Sequence, residues 1–154
     1  MSNLDRLNYY RRAVQFWLNA SELQRARCLA TPNDPDVARA DLNFYVVSVQ
    51  RIREVARMVA DRGKVSGAQT ALNAFDSRWP RFQTLRNVEE HITGPSKSQA
   101  PYGVWYFSHA VADLGKGGSV DYLVRVEDTQ VSVRSLAEEL ENLLSSALGV
   151  PAGG

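Results

Sequence analysis

Along the first part of the chain, apolar residues return every three or four positions. Leu4, Leu7, Tyr10, Val14, Trp17 and Leu18 follow this rhythm, which is that of an amphipathic helix with one buried face. The pattern predicts a helix over residues 3–29, capped by Ser2 or Asn3. ATPNDPD then interrupts it. Asp34 before Pro35 is a strong helix start, because proline loses nothing at the first helical position. The second helix carries Leu42, Tyr45, Val46, Val49, Ile52, Ala56 and Val59 on one face and stops at Gly63. Two long helices with a short connection are expected to pack as an antiparallel hairpin.

KVSGAQTALNAFDSRW, residues 64–79, predicts a shorter third helix, weakened by Gly67 and ended at Trp79-Pro80. Pro80 can open a fourth helix, RFQTLRNVEEHI, which Gly94-Pro95 terminates. After the polar loop TGPSKSQAPYG, the strand formers of VWYFSHAV, the turn-like ADLGKGGS and VDYLVRV read as one β-hairpin over residues 104–126 with a long tip. Two such short strands need the helices beneath them. SVRSLAEELENLLSSAL, residues 132–148, returns to helical spacing, with Ser132 or a Ser135–Glu138 box as its cap. The expected fold is mainly α: an antiparallel bundle of about five helices with a small added β-hairpin. Residues 1–150 are expected to form a single helical domain, and residues 151–154 a flexible tail.

Composition narrows the picture without giving a function. A chain of 154 residues with 44% hydrophobic and 23% charged residues is an ordinary globular protein, long enough to bury a core. No apolar run approaches the ~20 residues that span a bilayer, and the charged N-terminus lacks a secretory signal, so a cytoplasmic protein is expected. Cys28 is alone and is expected to be a buried apolar filler. A net charge of +1 offers no overall attraction for nucleic acid. The first half is nevertheless rich in arginine (Arg6, Arg11, Arg12, Arg25, Arg27, Arg39, Arg51, Arg53, Arg57 and Arg62), and most of these read as solvated helix faces, with a phosphate-contacting surface as the alternative. Glu138, Glu139 and Glu141 cluster near the end.

Few residues offer chemistry. DLGKGGS lacks the spacing of a phosphate-binding loop. With two histidines and no CxxC or HExxH, no metal site and no cofactor are expected. Ser108 and His109, as neighbours in one strand, would point to opposite faces, and His109 is expected to be structural. Arg86-Asn87-Val88-Glu89-Glu90-His91 remains. On a helix, Asn87 and His91 share a face, whereas Arg86 sits about 140° away from His91. Asn87 could orient His91 directly. A histidine in a last helical turn also feels the negative end of the helix dipole, which favours its protonated form. The ordinary reading of the same string is an exposed helix surface.

Arg86, Asn87 and His91, on a helix that follows a long helical hairpin, resemble the signature of the HEPN superfamily (higher eukaryotes and prokaryotes nucleotide-binding domains): R-x4–6-H with a polar residue after the arginine. The resemblance implies a metal-independent endoribonuclease, often a toxin or phage-defence effector, with its active site at a homodimer interface. Its implied partners are RNA, a second copy of the chain and an antitoxin or defence protein, with no membrane. Thr93 stands where the subgroup partnered by small nucleotidyltransferases carries tyrosine, so adenylylation is not implied. The inserted β-hairpin is not a general feature of the family. In the implied chemistry a neighbouring 2′-hydroxyl attacks the phosphate, giving a 2′,3′-cyclic phosphate and a 5′-hydroxyl. His91 would move protons, Arg86 would hold the phosphate, and a second copy would supply the second acid–base group. Two other expectations stand beside it. One is a non-catalytic binding or scaffold domain, whose contact surface could be Tyr102, Trp105, Tyr106 and Phe107. The other is a ligand-binding helical bundle.

Overall fold

The computed structural model describes residues 1–30, 34–85, 103–115 and 122–153. Their elements run α1 (Asn3–Leu29), α2 (Pro35–Asp61), α3 (Ala68–Arg78), a 3-10 turn (Pro80–Gln83), β1 (Trp105–Ser108), β2 (Val111–Asp113), β3 (Leu123–Arg125) and α4 (Val126–Leu148). The protein is mainly α, a helical bundle with a small antiparallel sheet. No helix among the described residues is long and apolar enough to cross a membrane.

The first two helices begin where the local chemistry says they should. Ser2 and Asp5 form a reciprocal capping box on α1, which satisfies two amide donors that the helix itself cannot. Asp34 accepts from the Asp36 amide ahead of Pro35 at the start of α2. The two helices pack antiparallel. Arg27, near the end of α1, pairs with Asp41, early in α2, at 2.8 Å, while Arg6 at the other end donates to the Arg62 carbonyl at 3.2 Å. α4 returns along α1, also antiparallel. Arg25 pairs with Glu127, Glu22 with Arg134 and Arg11 with Glu141 along this seam. The Arg134 hydrogen bond holds the Glu22 carboxyl below its usual range.

The core is built from Val14, Leu42, Val49, Ile52, Val59, Leu140 and Leu144, all but fully buried. A polar clasp crosses it. Gln130 donates to Ser21 at 2.9 Å and accepts from the Tyr45 hydroxyl at 2.8 Å, tying α4 to both α1 and α2. Buried polar groups hold only when every donor and acceptor is met. Tyr45→Phe removes the donor to the Gln130 oxygen, and the expected loss is about 1–3 kcal/mol of stability in urea denaturation. An unchanged midpoint would show that the clasp contributes nothing.

Several details of the expected fold are corrected by this architecture. Among the described residues there are four α-helices, and Pro80 opens a 3-10 turn; residues 86–92 of the expected fourth helix lie outside the described residues. The single hairpin is in fact three antiparallel strands in the order β1-β2-β3. VWYFSHAV breaks at His109-Ala110, where Ala110 takes φ 52 and passes the chain back into β2. No Gly, Asn or Pro marks that turn, so the string of strand formers conceals it. The last helix starts at Val126, directly out of β3, and not at Ser132. Glu127 and Asp128 in its first turn favour a helix N-terminus, and Thr129 returns its hydroxyl to the Arg125 carbonyl at 3.0 Å. Ser135 is no cap: its hydroxyl donates to the Val131 carbonyl within the helix. Gly67 also proves to be the residue before α3, at φ 93, rather than a weak point inside it.

The sheet rests on the helices through Ala112, Leu114 and Val124, all buried. Asp113, buried beside them, accepts from the Tyr122 amide at 3.0 Å, and the Leu114 amide donates to the Tyr122 carbonyl at 2.8 Å. These bonds close the base of the β2–β3 connection.

Cys28 is buried as expected, and desolvation, aided by the Asp41 charge, pushes its thiol up to about 12. Thiolate, not thiol, is the nucleophile. Native protein at pH 8 is therefore expected to resist a thiol reagent such as DTNB, and denatured protein to react with one equivalent. Fast labelling of the native chain would contradict this burial.

Candidate functional site

The segment that carries the candidate chemistry is reached through a rigid approach. α3 ends at Trp79, whose indole is buried and covered by the Arg78 guanidinium 4.6 Å from the ring centroid. Pro80 then sets the 3-10 turn. Phe82, fully buried, meets Phe75 edge-on with ring centroids 5.9 Å apart. Leu85, the last described residue of this stretch, is 2% exposed. Buried residues on both sides of Gln83 and Thr84 hold the chain against the bundle.

A charged clasp fixes the turn from the other side. Arg53 of α2 meets Asp76 of α3 through two parallel bonds, Nε to Oδ1 at 2.7 Å and Nη2 to Oδ2 at 2.8 Å. This fork-to-carboxylate geometry is the strongest form of such a pair. The same guanidinium donates to Gln50 Oε1 at 2.8 Å and to the Phe82 carbonyl at 3.2 Å, and Gln50 Nε2 donates to that carbonyl as well. Two helices and the turn are thus locked at one point. The Arg53 and Asp76 side chains are only 12% and 14% exposed.

Beside this clasp a polar groove of about 710 Å³ runs between α2 and α3. Arg53, Arg57, Gln69, Asn73 and Gln83 line it, with Asp61 and Asp76. Asp76 is spoken for by Arg53. Arg57 is exposed, and Gln69 donates to Asn73 at 2.8 Å. A guanidinium and several amides can hold phosphate, sugar or base edges.

Arg86, Asn87 and His91 lie outside the described residues, as does Tyr102. Tyr106 and Phe107 are 39% and 48% exposed on β1. His109 sits exposed in the two-residue turn between β1 and β2, not inside a strand as expected, because the chain reverses there. Among the described residues, no three side chains of the His, Cys, Asp and Glu type come together as a metal site. Four of the arginines depart from the expected solvated faces. Arg11, Arg25, Arg27 and Arg53 are not free solvated charges but ion-paired across helices. No sequence signal distinguishes Arg53 from Arg57 four residues later. Only the packing of α3 does.

No protein-family model, curated protein or solved structure matches the chain.

Proposed function

We propose that the chain is a HEPN-like, metal-independent endoribonuclease of toxin or phage-defence type, cutting RNA by 2′-hydroxyl transesterification at a homodimer interface. His91 transfers protons, Arg86 binds the phosphate and Asn87 orients His91. The Arg86-Asn87-x3-His91 sequence carries this reading, since it follows a helical hairpin and an anchor ending at buried Leu85. Histidine titrates near neutral pH and serves as acid or base, while guanidinium matches phosphate through two parallel bonds. One chain contributes one motif histidine, so acid and base together call for two copies.

The test is cleavage of single-stranded RNA in EDTA. Activity is expected from the native chain and not from Arg86→Ala or His91→Ala. The products should carry 2′,3′-cyclic phosphate, and a 2′-deoxy substitution at the cut site should block the reaction.

A second reading, a non-catalytic binding domain of a toxin–antitoxin or defence complex, is favoured by a different observation. Tyr106 and Phe107 are exposed on β1, the edge strand of the sheet, and exposed apolar side chains of this kind suit contact with a protein partner. A stable protein complex together with no cleavage of any RNA would favour it.

A further inference from the structure

α1 has two apolar faces, and the bundle covers only one. Leu7, Tyr10, Val14 and Cys28 are buried. Tyr9, Phe16 and Leu23 lie seven residues apart on the opposite side and are 52%, 62% and 62% exposed. Residues seven apart fall in line along a helix, drifting by about 20° per heptad. Between them come Ala13 and Ala20, half-buried, Ala13 at the edge where it also meets the core, and the row ends at Arg27, whose side chain is 56% exposed. The six positions, Tyr9, Ala13, Phe16, Ala20, Leu23 and Arg27, alternate in steps of four and three, the seam of a coiled coil. The row is about 27 Å long at the helical rise.

Its order is self-complementary. If a second α1 lies antiparallel across this seam, with the two-fold axis at residue 18, each large side chain meets a small one. Phe16 faces Ala20 of the second copy, and Leu23 faces Ala13 of the second copy. Tyr9 faces Arg27 of the second copy, a cation over an aromatic ring. Alternation of large and small residues is what lets two helices interdigitate, and an isologous interface requires each such pair to occur twice. Phe16 is already steadied by Trp17, its ring edge-on at 4.9 Å, so little side-chain freedom remains to be lost on association. The Arg27 charge is held in place by Asp41.

From this we infer that the outer face of α1 is a homodimer interface, in which two copies pair antiparallel through Tyr9, Phe16 and Leu23. The face is separate from the Gln50–Arg53–Phe82 clasp that precedes Arg86, and the inference does not rest on the nuclease reading. If motif pairing also operates, the two interfaces together would build a tetramer.

Two measurements decide it. In light scattering coupled to size exclusion at tens of micromolar protein, Phe16→Glu is expected to halve the assembly mass while leaving the circular-dichroism spectrum unchanged, because Phe16 is outside the core. In the Cys28→Ser background, Phe16→Cys chains mixed with Ala20→Cys chains are expected to form mainly the mixed disulfide under mild oxidation. A native chain that is monomeric, an unchanged mass in Phe16→Glu, or cross-linking confined to identical chains would each overturn the proposal.

Discussion

Arg53→Ala is expected to lower the stability of the fold by about 3–5 kcal/mol in chemical denaturation, toward the lower end because both partners retain some solvent contact. Alanine leaves the Asp76 carboxylate charged and unpaired between α2 and α3, and it removes a donor from both Gln50 and the Phe82 carbonyl. The penalty arises from the abandoned charge, more than from the lost attraction. Replacing both partners, as Arg53→Met with Asp76→Leu, is therefore expected to recover a large part of the loss. Hydrogen exchange gives the local reading: amides of residues 81–85 should lose protection in Arg53→Ala before those of α1 and α4. A single mutant as stable as the parent would mean that the clasp is idle, and that something else holds the turn.

Removing His91 or Arg86 is expected to have the largest effect on activity. A general acid–base group is typically worth about 10²–10⁴ in rate, and a group that stabilises developing charge about 10²–10³. His91→Ala and Arg86→Ala should thus each bring cleavage close to background, with folding unchanged. Arg86→Lys keeps the charge but loses the two-pronged fit to phosphate, so it should recover only a small part. Asn87→Ala should be milder, since in the proposed mechanism Asn87 acts through His91. If His91 of two copies serves as acid and base, the pH–rate profile should be bell-shaped. Undiminished cleavage in both alanine variants would remove the nuclease assignment.

How much could be read in advance depended on the range of the signal. Caps and helix starts act over two or three residues, and Ser2, Asp34 and Pro35 marked their helices correctly. The apolar period of α2 also foretold its buried face. The β1–β2 turn was hidden because Ala110 reaches φ 52 without any residue that advertises it. The start of α4 was hidden because Val124 and Val126 close the strand-like string VDYLVRV, while the contacts that favour helix there come from elsewhere. Tyr45 on α2 reaches both Gln130 and the Val126 carbonyl. For the candidate site the motif string itself was legible. Its supporting clasp was not, since Arg53 looks like any other arginine on a polar helix face.

By itself the sequence determined the helical class, the long α1–α2 hairpin and the burial of Cys28, and it supplied the string on which the proposed ribonuclease reading rests. Each rests on periodicity or on residue chemistry within a turn or two of the chain. Only the tertiary structure decided which arginines are paired. Arg53 finds Asp76 at a separation of 23 residues and Arg11 finds Glu141 at 130, distances over which no local pattern operates. It also decided which face of α1 stays bare. Both faces carry apolar residues, and the choice between them was made by where α2 and α4 came to rest.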